Sequence, residues 1–137
     1  MRIKLDKGAY PLERVHSTDA GLDIRALNDG RVPAHGSKIF HTGVHVQLPH
    51  GTMGNMRSKS GLMFKHGITS DGIVDEGYSD EIMVKLFNHS DQDYYVSAGD
   101  KISQLIVTPV LYEDIEIVDE IESGERGNNG FGSTGYR

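Results

Sequence analysis

Lys38-Ile39-Phe40-His41-Thr42-Gly43-Val44-His45-Val46-Gln47-Leu48 alternates in character, with Phe40, Val44, Val46 and Leu48 on one face. Successive side chains on an extended backbone point to opposite faces, so this period-two pattern reads as half-buried β-strand. The signal recurs outward from there. Ile3-Lys4-Leu5 opens the chain, and Glu81 to Phe87 places Ile82, Val84 and Leu86 together. Tyr94-Tyr95-Val96, Ile102 to Val110, and Glu113 to Asp119 continue it. Gly, Pro and Asn/Asp punctuate these runs at about ten-residue intervals, as in all-β sandwiches and barrels. Only Met63 to His66 has room for a helical turn, and no stretch keeps a 3.6-residue period. The 17 glycines have no collagen-like period and mark turns.

The 137 residues suit one domain. With no cysteine, disulfide scaffolds, thiolate metal sites and cysteine nucleophiles are excluded. Fourteen Lys+Arg against 20 Asp+Glu leave a net charge of −6. That balance argues against nucleic acid as a partner, because phosphate backbones are held by clustered cations. A small phosphorylated ligand stays open where a few cations or a metal stand locally. No apolar run is long enough to span a membrane, and Met1 to Asp6 lacks the apolar core of a secretory signal. A cytoplasmic protein is expected.

Several short stretches carry chemistry. Gly130-Phe131-Gly132-Ser133-Thr134-Gly135 matches the dinucleotide fingerprint in form, but that fingerprint needs a strand before it and a helix after it. What survives is the physics: glycines free backbone N–H groups for an anion, Ser133 and Thr134 add hydroxyls, and Arg126 can clamp a phosphate. Phe131 offers a face on which a base can stack. The alternative is a plain disordered tail, since such composition buries too little to order itself. Asp23, between Leu22 and Ile24, reads as the exposed member of a strand or as a carboxylate near a divalent metal. Arg57-Ser58-Lys59-Ser60-Gly61 is either a solvated loop or an anion nest. Asp71-Gly72-Ile73-Val74-Asp75 reads as a hairpin turning at Asp71-Gly72, with Asp75 a candidate general base or a mere strand-end residue. His41 and His45, four apart in a strand, lie too far apart for one metal ion and read as surface residues. The seven carboxylates from Glu113 to Glu125 read as a solvated strand face.

Order and spacing join these weak signals. Asp19-Ala20-Gly21-Leu22-Asp23-Ile24, Lys59-Ser60-Gly61-Leu62, Gly72-Ile73-Val74-Asp75-Glu76-Gly77-Tyr78, Gly99-Asp100-Lys101-Ile102-Ser103-Gln104-Leu105 and Arg126 to Gly135 resemble, in sequence order, the five motifs of the trimeric dUTPases. The resemblance covers essentially the whole chain. It implies a jelly-roll β-barrel over residues 1–123, a flexible Gly-rich lid over 124–137, and a homotrimer with active sites shared between subunits. It also implies Mg²⁺-dependent hydrolysis of dUTP to dUMP and pyrophosphate, limiting uracil in DNA. Asp75 resembles the carboxylate that deprotonates the water attacking the α-phosphorus. Tyr78 resembles the ring under the deoxyribose, and Gly72, Ile73 and Val74 the backbone that reads the uracil edge. Lys59, Ser60, Gly61 and Gln104 match phosphate-chain positions, and Asp23 the carboxylate holding the hydration shell of Mg²⁺. Arg126, Ser133 and Thr134 match γ-phosphate ligands, with Phe131 and Gly132 in the lid over the base.

Some positions depart from the family pattern. Lys59 stands where Arg is usual, keeping the charge but losing the planar fork. Lys101 likewise replaces an Arg, and Ser79-Asp80 follows Tyr78 where a Gly is typical. Two other functions remain open on the same fold: a dCTP deaminase-type relative, and a regulatory module that binds a protein partner.

Overall fold

The structure is a computed structural model and describes all residues, Met1–Arg137. The chain folds as β1 (Arg2–Leu5), β2 (Leu22–Arg25), β3 (Gly30–Val32), β4 (Ser37–His41), β5 (Val44–Gln47) and β6 (Thr52–Arg57). Then come α1 (Ser60–His66), β7 (Ile68–Thr69), β8 (Asp71–Val74), β9 (Met83–Asn88), β10 (Tyr94–Val96) and β11 (Lys101–Pro109). Every strand pairing is antiparallel. The ladders form four sheets ordered β1-β5, β10-β3, β2-β11-β6-β8 and β4-β9-β7. The arrangement is jelly-roll-like and all-β, with the hydrogen bonds grouped into separate small sheets around one core. No helix is long and apolar enough to cross a membrane.

Alternation builds that core. In β9, Val84, Leu86 and Asn88 turn inward while Met83, Lys85 and Phe87 turn out. Phe40, Val44, Val46 and Leu48 are all buried, although Phe40 lies in β4, Val44 and Val46 in β5, and Leu48 just past its end. Gly43 separates those strands with φ +67°, where a Cβ would lie 2.7 Å from the Ala9 Cβ. The inward Asn88 is fully satisfied: its amide nitrogen donates to the Val32 and Gln92 carbonyls, and its oxygen accepts from Ser90.

Three expectations need correction. The helix begins at Ser60 and not at Met63, because Lys59 is extended and its carbonyl accepts the Met63 N–H at 3.0 Å. Asp71-Gly72 is not a turn. Both residues lie within β8, paired to Arg57 and Met56, and the turn comes after it, closed by Tyr78 N–H on the Asp75 carbonyl at 3.1 Å. Glu113 to Asp119 forms no strand in this chain and pairs with none of its sheets. Ile115 and Ile117 are 92% and 94% exposed.

The corner between β4 and β5 also fixes the loop after β8. The buried Thr42 hydroxyl donates to the Ile82 carbonyl at 2.5 Å and accepts the Val44 N–H at 3.1 Å. The Glu81 carboxylate accepts the N–H groups of Thr42 and Gly43 at 3.0 and 2.8 Å. Thr42→Val keeps the shape but strands two buried backbone groups. We expect it to cost about 1–3 kcal/mol, read as a lower urea midpoint with an unchanged slope.

Candidate active site

Asp23 is the most constrained charge in the molecule. It lies in β2 between the Glu13 bridge and Gln104 of β11, and it is only 6% exposed. The reading of Asp23 as an exposed strand residue therefore fails. The Lys59 ammonium donates to Oδ1, and the Lys101 ammonium reaches Oδ2 at 2.8 Å. Burial alone would push this carboxyl up. The hydrogen bonds from Lys101 and Lys59 outweigh it and hold the group below the usual carboxylate range.

Local backbone irregularity puts Lys101 there. A shift of register between Lys101 and Ser103 breaks the β2–β11 ladder, so Ile102 and Ser103 are both buried. Such a bulge bends the strand and re-aims the side chains around it. Lys101 then faces Asp23, with Glu13 at 3.6 Å on its other side. Sequence reading gave Lys101 no role, because a bulge has no compositional mark here.

Gln104 completes the wall. Its amide donates to the Ser58 carbonyl at 3.0 Å, tying β11 to the start of α1. Gly21 lies flat beneath it, where a Cβ would fall 2.3 Å from the Gln104 Oε1. Gly21, Asp23, Lys59, Ser60, Lys101 and Gln104 line one cavity of about 360 Å³. Ser60 and Gly61 form the exposed first turn of α1, whose N–H groups have no acceptor within the helix. Arg57 stands apart in β6, 3.6 Å from the Asp71 carboxylate and exposed.

The other candidate residues lie elsewhere. Asp23, Gln104, Arg57 and Asp71 form one register row across β2-β11-β6-β8. Asp75 lies three strands across from Asp23 and just past the end of β8, four residues on from Asp71. At about 4.8 Å between strands and about 3.3 Å per residue, the two backbone positions are roughly 20 Å apart along the sheet. Asp75 is exposed, as is Tyr78, whose hydroxyl donates to the Glu81 carbonyl at 3.0 Å. In β8, Ile73 faces solvent while Val74 is buried, and Gly72 pairs with Met56. Arg126 folds back on its own tail, donating to the carbonyls of Asn129 and Gly130 at 2.9 and 2.8 Å. It forms a small polar concavity with Ser133 and Thr134, while Phe131 is fully exposed and Gly132 takes φ +79°. The candidate residues thus fall into three separate groups within one chain.

The dUTPase family model matches residues 9–135. The chain belongs to the dUTPase family. The deoxyuridine 5'-triphosphate nucleotidohydrolase of Gloeothece citriformis is 43% identical over 96% of this chain and 93% of its own. That of Clostridium acetobutylicum is 40% identical over 98% and 94%. Among solved structures, the dUTPase of Staphylococcus bacteriophage 80alpha with dUpNHpp superposes with a TM-score of 0.92. It is 27% identical and covers 98% of both chains.

No three His, Asp or Glu side chains converge on one point, so the chain builds no closed cage. It offers a single carboxylate, Asp23, on the wall of a polar cavity. That fits a hydrated Mg²⁺, which keeps several waters and takes its remaining ligands from phosphates.

Asp23 also sets a pH dependence. A carboxyl held low in the folded protein stabilises it fully above the unfolded pKa of about 3.9, and that contribution is lost as pH falls through the lower folded value. Asp23→Asn should therefore cost roughly 1–3 kcal/mol at pH 7. The gap from the parent should stay level down to about pH 5 and narrow below about pH 4. Urea unfolding of both proteins at pH 7, 5 and 3 measures this.

Proposed function

We propose that this chain, an enzyme of a dUTP-hydrolysing family, converts dUTP to dUMP and pyrophosphate with Mg²⁺, at sites assembled between three copies. The observation that carries this reading is the separation inside one chain. The phosphate-side residues around Asp23 and the nucleoside-side residues Asp75 and Tyr78 stand roughly 20 Å apart, more than a nucleotide triphosphate's reactive centre and sugar can bridge within one subunit. A neighbouring copy brings the halves together. The stranded segment 113–119, with two isoleucines in the open, is likewise suited to cover on another copy.

On the nucleoside side, β8 pairs only with β6. Its other edge leaves backbone N–H and C=O groups free, which suits the reading of a uracil edge by Gly72, Ile73 and Val74. Tyr78, fixed by its hydroxyl, offers a ring under the sugar. Asp75 accepts a proton from the water that attacks the α-phosphorus, and the bond to the bridging oxygen of pyrophosphate breaks. On the phosphate side, Lys59, Ser60, Gly61 and Gln104 meet the phosphate chain, with Asp23 holding the hydration shell of the metal. Mg²⁺ supplies the positive charge that this acidic chain lacks, neutralising the polyphosphate. Residues 124–137 act as a lid: Arg126, Ser133 and Thr134 take the γ-phosphate, and Phe131, freed to swing by Gly132, covers the base. Closing the lid excludes bulk water and strengthens every charge contact beneath it.

Pyrophosphate release from dUTP, dCTP, dTTP and UTP, with ammonia assayed in parallel, tests the reading. Magnesium-dependent pyrophosphate from dUTP alone is expected. Ammonia from dCTP would instead identify a deaminase. Asp75→Asn should lower kcat at least about a hundredfold while nucleotide binding, measured with dUpNHpp, stays within a fewfold. Deletion from Gly124 onward should leave the urea midpoint unchanged and depress kcat severely. A truncated protein as fast as the parent contradicts the lid.

A further inference from the structure

His45, at the centre of β5, was expected at the surface, but its side chain is only 14% exposed and reaches two partners at once. Nδ1 lies 3.0 Å from the Ser79 carbonyl oxygen, and Nε2 lies 3.0 Å from Asp6 Oδ2. A carbonyl and a carboxylate can only accept, whereas a neutral imidazole has one N–H to give. Both contacts are hydrogen bonds only when the ring is an imidazolium.

Ser79 directly follows Tyr78. From Gly77 to Asp80, the His45 bond is the sole hydrogen bond arriving from another element. The Tyr78 N–H donates to the Asp75 carbonyl, its hydroxyl to the Glu81 carbonyl, and the Glu81 N–H to the Asp80 carboxylate, all inside the loop. At the other end, Asp6 is anchored, its N–H donating to the Gly43 carbonyl at 2.8 Å. His45 therefore clamps the Tyr78 loop to the corner that follows β1.

We propose that His45, as an imidazolium, is a positioning residue that holds Tyr78 under the nucleoside sugar and gives substrate binding an upper pH limit. The sugar contact rests on the dUTP reading above; the clamp itself does not. Lys4 stands directly opposite His45 in the β1–β5 register, and Arg2 opposite Gln47 on the same ribbon face, so both oppose the ring's charge. Asp6 is the one carboxylate in contact. From the loop, the Ser79 carbonyl and Tyr78 border the same cavity of about 420 Å³. Asp80 and Glu81 are engaged elsewhere, Glu81 with His41 and the N–H groups of Thr42 and Gly43. The hydrogen bonds to Asp6, then to Ser79, win over burial and Lys4 and raise His45 above the ordinary imidazole range. A raised imidazolium is intact at low pH and is lost as pH rises through that higher value.

Two measurements on the full chain test the proposal. Hydrogen exchange of the Gly77 to Asp80 amides is followed against pH, beside the NMR titration of the His45 ring and without nucleotide. Protection should fall, beyond the intrinsic pH dependence of exchange, at the pH where the ring loses its proton. Unchanged protection overturns the clamp and leaves the dUTP reading standing. Steady-state kinetics with dUTP should show KM rising about three- to tenfold through the same pH with kcat following no such step. His45→Gln should show the raised KM at every pH, and Asp6→Asn should move the step to lower pH. A KM step that persists in His45→Gln, or one that Asp6→Asn leaves in place, overturns the proposal. Loss of protection without dUTP hydrolysis keeps the clamp and overturns its role under the sugar.

Discussion

The register of one four-stranded sheet governs what this chain can do alone. Because Asp23, Gln104, Arg57 and Asp71 share a row, the carboxylate at the end of β8 must lie at the opposite corner from the lysine-bound carboxylate of β2. No side-chain rotation closes a gap of roughly 20 Å. The strands would have to slip, and a one-residue slip would turn Ile24, Leu105 and Val74 out of the core. Burial thus locks the two halves of the candidate site apart, and the proposed composite site between copies rests on that separation.

Charge is arranged on the same plan. The chain is acidic overall, yet the cavity beside Asp23 holds two ammonium groups, both committed to that carboxylate. A polyanion arriving there competes with one carboxylate for two lysines. An Arg at position 59 would present a rigid fork, whereas the flexible stem of Lys59 lets it follow either partner. In the proposed reaction, positive charge brought with the nucleotide would relieve that competition, since Asp23 would then face a hydrated cation.

Much of the subunit was legible in the sequence where partners lie close and patterns are regular. The alternation of Val84 and Leu86 marked β9 and that of Phe40, Val44 and Val46 marked strand, because a half-buried strand imposes a period of two, but the corner at Thr42-Gly43 that splits β4 from β5 left no break in the pattern. The five stretches stood in sequence order, each with its own glycine, although they fold differently: one opens α1 and others overlap β2, β8 and β11. What escaped was set by distant residues. Asp23 looks solvent-exposed until Lys59 and Lys101 are seen to meet it. Asp71-Gly72 has the composition of a turn, but pairing with Arg57 and Met56 makes it strand. Ile115 and Ile117 have the pattern of a strand yet pair with no sheet of their own chain. The double acceptor environment of His45 depends on a carboxylate and a carbonyl from two other segments, which no local pattern encodes.

The central claim is that one working site draws on more than one copy. Two variants, Asp75→Asn and Lys59→Ala, each impaired alone, can be mixed in equal amounts, unfolded together and refolded. If the halves come from different subunits, random assembly gives sites with both halves intact, and about a quarter of the parent dUTP-hydrolysing activity returns. Activity in the mixture no higher than the mean of the two variants refolded separately would contradict the account.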